Sequence, residues 1–277
     1  MTETHPTLAF IGAGNMAGSI IGGLVANGYP TGKITASDLN NDALAKLSRD
    51  TGITAATSNA DAVANAQVVV LAVKPQVLRQ VCEPLAALIA EEVLVVSIAA
   101  GINSQSLHNW LGASLKRAIV RCMPNTPALV QAGTSGLFAT QHVSDVQRRQ
   151  AEEILAAVGS VCWVESEAEI DSVTAVSGSG PAYFFLMIEA MIDAGIKQGL
   201  SRATASTLAI DTAFGAAKLA KHSDVDVAEL RKRVTSPNGT TAEAIASFEK
   251  NQFRQIVDQA MTACADRSRE LAEQLGN

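Results

Sequence analysis

Two stretches of this chain have residue types and spacings that can do chemistry. The first is Ile11-Gly12-Ala13-Gly14-Asn15-Met16-Ala17-Gly18. Gly12 permits a tight turn, and Gly14 lets the backbone approach a pyrophosphate. Ala17 or Gly18 lets a helix sit close on a strand. The amides that open the following helix attract an anion. The second stretch is Ser236-Pro237-Asn238-Gly239-Thr240-Thr241. It holds no His, Lys or Cys. Pro237-Asn238-Gly239 is turn chemistry, and Thr240 with Glu243 has the spacing of a capping box. What such a stretch offers is a set of helix-start amides for a carboxylate, with hydroxyls beside them.

Other residues extend the first stretch. Asp38 follows Gly14 by 24 residues. A carboxylate there holds adenosine ribose hydroxyls, or instead caps a helix just off the ribose. No Arg follows it at once to clamp a 2′-phosphate, so NADH and NADPH both stay open. Ala72-Val73-Lys74-Pro75, Ser97 to Gly101 and Met123 to Pro127 are small, Pro-containing or polar segments after apolar runs. They read as strand-end walls of a cleft, or as plain connections. Ser177-Gly178-Ser179-Gly180-Pro181 precedes a helix and reads as mainly structural. Cys82, Cys122, Cys162 and Cys264 lie far apart with no paired spacing, so they read as buried, reduced thiols and not as a zinc site or disulfide framework. His5, His108, His142 and His222 have no metal-ligand spacing. No metal is expected.

These residues need elements to position them. Leu8–Ile11, Lys33–Ser37, Val68–Val73, Val93–Ser97 and Arg117–Arg121 read as strands between helical patterns, with a weak segment near Ile53. Continuous apolar runs between helices indicate parallel strands covered on both faces. Gly133–Thr140 and Val161–Val164 read as edge strands around a helix at Ser144–Val158. Beyond Glu165 the strand signals stop. Pro181 suits the first turn of a long helix ended by Gly199, and Ser201 suits the cap of the next. Asp226 with Glu229 repeats the capping-box spacing. A last helical stretch opens at Thr240 and breaks near Asn251. Met187, Ile188, Met191 and Ile192 put apolar groups on several sides of one helix, which suits a partner subunit, or else a helical bundle buried within one chain.

The chain has 277 residues, 48% hydrophobic, enough for two domains. A net charge of −6 argues against a nucleic-acid face, which needs a basic surface. No apolar run reads as long enough for a membrane span, and Met1–Phe10 lacks the pattern of a signal peptide. The expected location is the cytoplasm.

With these motifs in place, the chain resembles the pyrroline-5-carboxylate reductases over nearly its whole length. The resemblance rests on Ile11–Met16, Ala72–Pro75, Arg121–Pro127, Asp171–Tyr183 and, above all, Val234–Thr241. Asn238 stands where members commonly have Gly, and Asn tolerates the left-handed backbone a turn needs. The resemblance implies an α/β chain. Residues 1–165 form a Rossmann-type, doubly wound, mostly parallel sheet. Residues 166–277 form an all-α substrate-binding and dimerisation domain, with the active site between the two. It implies reduction of L-1-pyrroline-5-carboxylate to L-proline by NADPH or NADH, the last step of proline biosynthesis. It also implies a homodimer that can assemble into a decamer.

The expected cofactor residues are Ile11, Gly12, Ala13, Gly14, Asn15, Met16, Asp38, Asn59, Ala72, Val73, Lys74, Pro75, Ala99 and Ala100. The expected substrate residues are Ser236, Asn238, Gly239, Thr240 and Thr241, with the Gly239 and Thr240 amides and Ser236 gripping the carboxylate. The resemblance marks Thr241 as the residue at the ring nitrogen, and so as the catalytic one. A β-hydroxyacid dehydrogenase is the nearest rival. It needs a Lys on the first long helix of its second domain, and here Lys197 comes only near that helix's end. A non-catalytic NAD(P)-binding regulator would have the first motif without the second.

Overall fold

The computed structural model of this chain describes residues 5–276. Its strands are β1 Leu8–Ile11, β2 Ile34–Ser37, β3 Thr54–Ala55, β4 Val68–Leu71, β5 Leu94–Ser97, β6 Ile119–Met123, β7 Gly133–Ala139 and β8 Gly159–Trp163. Between and after them run α1 Asn15–Ala26, α2 Asn41–Thr51, α3 Asn59–Val63, α4 Pro75–Leu85, α5 Ser104–Trp110 and α6 Asp145–Ala156. Then come α7 Glu169–Val173, α8 Gly180–Lys197, α9 Arg202–Lys221, α10 Val227–Arg233, α11 Thr240–Lys250 and α12 Phe253–Leu275. A π-helical turn, Thr174–Gly178, follows α7.

The strands form one sheet in the order β3-β2-β1-β4-β5-β6-β7-β8. All neighbours are parallel except β6 and β7. The doubly wound, mostly parallel sheet is as the sequence implies. The apolar runs are continuous because both faces are covered. Leu8 and Phe10 enter one core cluster, while Ala9 and Ile11 enter the other. Val68 and Val70 divide from Val69 and Leu71 in the same way. The segment near Ile53 is a real but two-residue strand at the sheet edge. One expectation is corrected: β7 is not an edge strand. It pairs with β6 on one side and β8 on the other, leaving β8 at the edge. Edge position also corrects the reading of four buried thiols. Cys82 and Cys122 are buried, but Cys162 points outward from β8 and is exposed.

The chain divides into two compact units. One runs to Ser179 and includes Cys264 onward; the other is Gly180–Ala263. The strand signals stop at Glu165, which sets the expected boundary at residues 165/166, whereas the compact units part at Ser179. Asp171 accepts the Ser268 hydroxyl at 2.6 Å, and the Ser177 carbonyl accepts the Asn125 side-chain amide at 3.1 Å. Both bonds lie inside the first unit.

The second unit is entirely helical, and Gly199 ends α8 with a φ of 99°. Ser201 caps α9 by accepting the Thr204 amide. Asp226 caps α10, but Glu229 pairs with Arg233 instead of completing a box. The continuous helical run Glu169–Lys197 is long and apolar enough, by length and composition, to cross a membrane. The expectation that no stretch reaches that length is therefore corrected. The apolarity comes from Tyr183–Ile188 with Met191 and Ile192. Phe184, Phe185 and Leu186 are about two-thirds exposed in the single chain.

Candidate active site

In an open parallel sheet, ligands bind beyond the carboxyl ends of the strands, where the strand order reverses. Here β1 lies between β2 and β4, and the order reverses between β1 and β4. Ile11 is in register with Ser37 on one side and Leu71 on the other, and Leu71 with Ser97. The topology therefore brings the loops after these four residues to one end of the sheet. They carry Gly12–Met16, Asp38, Ala72–Pro75 and Ala99–Ala100. A cavity of about 870 Å³ lies at the other end, lined by Gln67, Val93, Lys116 and Gln147. It sits at the amino ends of β4, β5 and β6, the wrong end for a dinucleotide.

Gly12 has a φ of 100°, and a Cβ there would meet the Ala72 carbonyl oxygen at 2.7 Å. The turn thus needs glycine on both counts. A Cβ at Gly14 would meet nothing within 4 Å, so this face of the turn is open to an approaching phosphate. The Asp38 carboxylate faces inward. Its oxygens accept the Ala13 amide at 2.6 Å and the Asn40 amide at 2.7 Å. It fixes the glycine turn to the end of β2, and it does not cap α2. Asn40 does that, accepting the Ala43 amide. Asn59 opens α3 and accepts the Ser37 hydroxyl at 2.8 Å.

Helix starts follow a pattern. Side chains cap α2, α3, α5, α6, α9 and α10. No side chain caps α1, α4 or α11. α1 and α4 also lack an acidic residue in the first turn. α7 is uncapped as well, but its first three amides already donate to the Ser166, Glu167 and Ala168 carbonyls. An uncapped helix start leaves amides for something else to satisfy. Two of the three lie on the strands flanking the reversal point, and the third opens at Thr240.

At α11 the N-cap residue is Gly239, and Thr240 is the first helical residue. The expected capping box is absent. Thr240 sits one position too late to cap. The turn before the helix is closed by the Gly239 amide, which donates to the Ser236 carbonyl at 3.0 Å. Gly239 is thereby corrected as a source of a gripping amide. Among the described residues, the amides of Thr240, Thr241 and Ala242 have no protein acceptor. Asn238 takes a φ of 57°, the left-handed angle foreseen for it. Pro second and a positive φ third are the marks of a type II turn. Ser236, Asn238, Thr240 and Thr241 are exposed in the single chain.

Several structural roles near these loops have no local sequence signal. The Asn125 carbonyl oxygen accepts the Thr134 amide at 2.8 Å while its NH₂ reaches Ser177. A Cβ on Gly178 would meet Met123 Cε at 2.5 Å, so the chain at Gly178 packs tightly on the end of β6. Arg121, 7% exposed, pairs with Glu167 at 2.8 Å, and Glu167 also accepts the Ser104 amide and hydroxyl. The Cys122 thiol lies instead in the core cluster with Val120 and Leu137 and is no nucleophile, because burial pushes its pKa up to about 12. Among the described residues, no group of His, Cys, Asp and Glu could hold a metal.

A dinucleotide-type sheet with uncapped helix starts at its reversal point, joined to an apolar-surfaced helical unit, defines an NAD(P)-dependent oxidoreductase that assembles through its helices. Comparison with known proteins narrows the class. Residues 167–271 match the family described as pyrroline-5-carboxylate reductase dimerisation, and residues 7–101 match NADP oxidoreductase coenzyme F420-dependent. The pyrroline-5-carboxylate reductase of Pseudomonas aeruginosa is 58% identical over 98% of both chains. A solved pyrroline-5-carboxylate reductase from Coxiella burnetii is 42% identical, with a TM-score of 0.94 over 97% of this chain and 99% of that one. The Plasmodium falciparum enzyme, solved with NADP bound, is 30% identical with a TM-score of 0.81 over 96% and 98%. The chain belongs to the pyrroline-5-carboxylate reductase family. It is an NAD(P)H-dependent oxidoreductase that converts pyrroline-5-carboxylate to proline, and its helical region makes it a homo-oligomer.

Proposed function

We propose that the work is divided between the units. The first holds the cofactor on the uncapped starts of α1 and α4, with Ile11–Met16, Asp38, Asn59, Ala72–Pro75 and Ala99–Ala100 around it. The second holds the substrate on Ser236–Thr241. When bound, the nicotinamide supplies the hydride that reduces the imine carbon. The residues of this chain bind and orient.

The observation that carries the substrate reading is the uncapped start of α11. Its Thr240, Thr241 and Ala242 amides match the carboxylate of a pyrroline-5-carboxylate, aided by the helix dipole. The exposed Ser236 hydroxyl adds a further donor. Asn238 shapes the turn that leaves these amides open. The Thr241 hydroxyl lies one residue into the helix, where it accepts a hydrogen bond from the iminium N–H and donates one to the amine that forms. An alcohol is too weak an acid to protonate the ring, so water or bulk solvent supplies the proton. This also explains why Ser236–Thr241 holds no ionisable group: the substrate brings its own electrophile.

Thr241→Ala is expected to lower kcat by about 10²-fold. The dissociation constant of NADPH, read by nucleotide fluorescence, is expected to stay unchanged. Full turnover in Thr241→Ala removes the hydroxyl from the mechanism. Kinetics with both nucleotides decide the cofactor: Asp38 favours NADH, and the NADP bound to the Plasmodium relative favours NADPH. For the rest, we take the functional domains as residues 1–165 and 166–277 and the assembly as a homodimer that can build a decamer. We place the enzyme in the cytoplasm, a reading supported by cysteines that are all free of disulfides.

A further inference from the structure

The end of α12 belongs to the first compact unit, although α12 begins in the second. The anchorage is specific. Ser268 is 8% exposed and donates to Asp171 at 2.6 Å, and the Cys264 thiol donates to the Ser179 hydroxyl at 3.2 Å. Leu275 packs against the core cluster that contains Ala99 and Ile102. The Gly276 carbonyl accepts the hydroxyl of Ser106, itself 4% exposed.

Between these anchors lies Leu271. Its Cβ is 3.3 Å from where a Cβ on Gly101 would stand, and Gly101 has a φ of 70°. Gly101 directly follows Ala99–Ala100 in the loop leaving β5. The loop therefore runs, at its far end, against the Cβ and backbone of α12 at Leu271 and Ala272. Its left-handed residue lets the chain pass close beneath that helix.

We propose that Leu271 is a positioning residue for the cofactor. It sets Gly101, and through it the Ala99–Ala100 wall against which the nicotinamide half lies. This rests on the reading above that Ala99 and Ala100 border the cofactor. Leu271 touches neither cofactor nor substrate in this scheme. Placement errors of about 1 Å in such supporting groups cost catalysis steeply.

The test uses the full-length enzyme and four variants. Leu271→Gly, which removes the Cβ that faces Gly101, is expected to raise the dissociation constant and KM of NAD(P)H about tenfold. The KM for pyrroline-5-carboxylate at saturating cofactor should move less than twofold. Leu271→Ala, which keeps that Cβ, should retain the cofactor values. Ser106→Ala, which releases the end of the same helix, should shift them in the same direction as Leu271→Gly. Ala100→Leu probes the underlying reading by itself, because it thickens the wall directly. If Ala100→Leu weakens the cofactor and Leu271→Gly does not, the positioning role of Leu271 is overturned. If Ala100→Leu leaves cofactor binding unchanged, the assignment of the wall falls. A lower Tm in Leu271→Gly with both KM values unchanged also overturns the proposal, since it marks a purely structural contact.

Discussion

Arg117 is 1% exposed and, among the described residues, has no carboxylate within ion-pair distance. Its guanidinium is satisfied by carbonyls instead. Nε donates to Leu111 at 2.6 Å, Nη1 to Ala90 at 3.0 Å, and Nη2 to Ala86 and Ile89 at 2.8 and 2.9 Å. Ala86 and Leu111 are the C-cap residues of α4 and α5, where the backbone is negative, and Ile89 and Ala90 lie in the turn after α4. Burial pulls the Arg117 pKa below its ordinary value, with Glu91 opposing that shift, and the group remains charged. Arg117→Met would leave these buried acceptors unmet. The expected loss is about 3–5 kcal/mol of unfolding free energy. Urea denaturation measures it, and kcat per folded molecule should be unchanged. Lys offers a point charge and not a planar fork, so Arg117→Lys should recover only part of the loss. A wild-type urea midpoint in Arg117→Met would show that the carbonyls find water.

At the scale of elements, the chain uses the start of a helix in two ways. Where a helix only has to be stable, Ser, Asn or Asp closes it. α6 even has a full box between Ser144 and Gln147. Where a ligand is expected, a Gly or Lys stands at the cap; the first amides stay open at α1 and α11, while at α4 Pro75 has none, Val77 donates to the Lys74 carbonyl, and Gln76 is left. The cost of leaving off a cap is about 0.5–2 kcal/mol per helix, recovered when an anion binds. The turn before α11 depends on Asn238 at a φ of 57°. Asn238→Gly should be nearly neutral. Asn238→Val places a β-branched residue at a left-handed angle, at about 1–2 kcal/mol. It should raise the KM for pyrroline-5-carboxylate several-fold while the dissociation constant of NADPH holds. Equal substrate KM in both variants would show that the turn does not govern the carboxylate.

At the scale of the whole molecule, the two units differ in how they are stabilised. The first buries both faces of its sheet. In the second, the buried hydrophobic residues are only Ala205 and Ala209, while Phe184, Phe185, Leu186 and Phe214 are each more than 60% exposed. A cavity of about 640 Å³ in this unit is lined by Met187, Met191, Phe248, Phe253 and Val257. Such surfaces are unstable in water unless another copy covers them. Phe184→Glu combined with Phe214→Glu should shift light-scattering mass toward the monomer. It should also remove the rise of Tm with protein concentration. An unchanged mass would place the subunit interface on other helices.

The sequence by itself determined what is local. Apolar runs bounded by turns specified the strands, Gly12–Gly14 the first turn, Ser201 and Asp226 their caps, and Asn238 its backbone angle. These depend on neighbours a few residues apart. The family motifs carried the reaction for the same reason. Tertiary structure decided whatever depends on distant partners. It put β7 inside the sheet and Cys162 outside it, because pairing order is not written in a strand's own residues. It moved the cap of α11 from Thr240 to Gly239, because closure of the preceding turn uses the Gly239 amide. It turned Asp38 toward Ala13, and it joined Leu271 to Gly101 and Asn125 to Ser177. Those pairs are separated by tens of residues or more, and only the folded chain brings them within reach of one another.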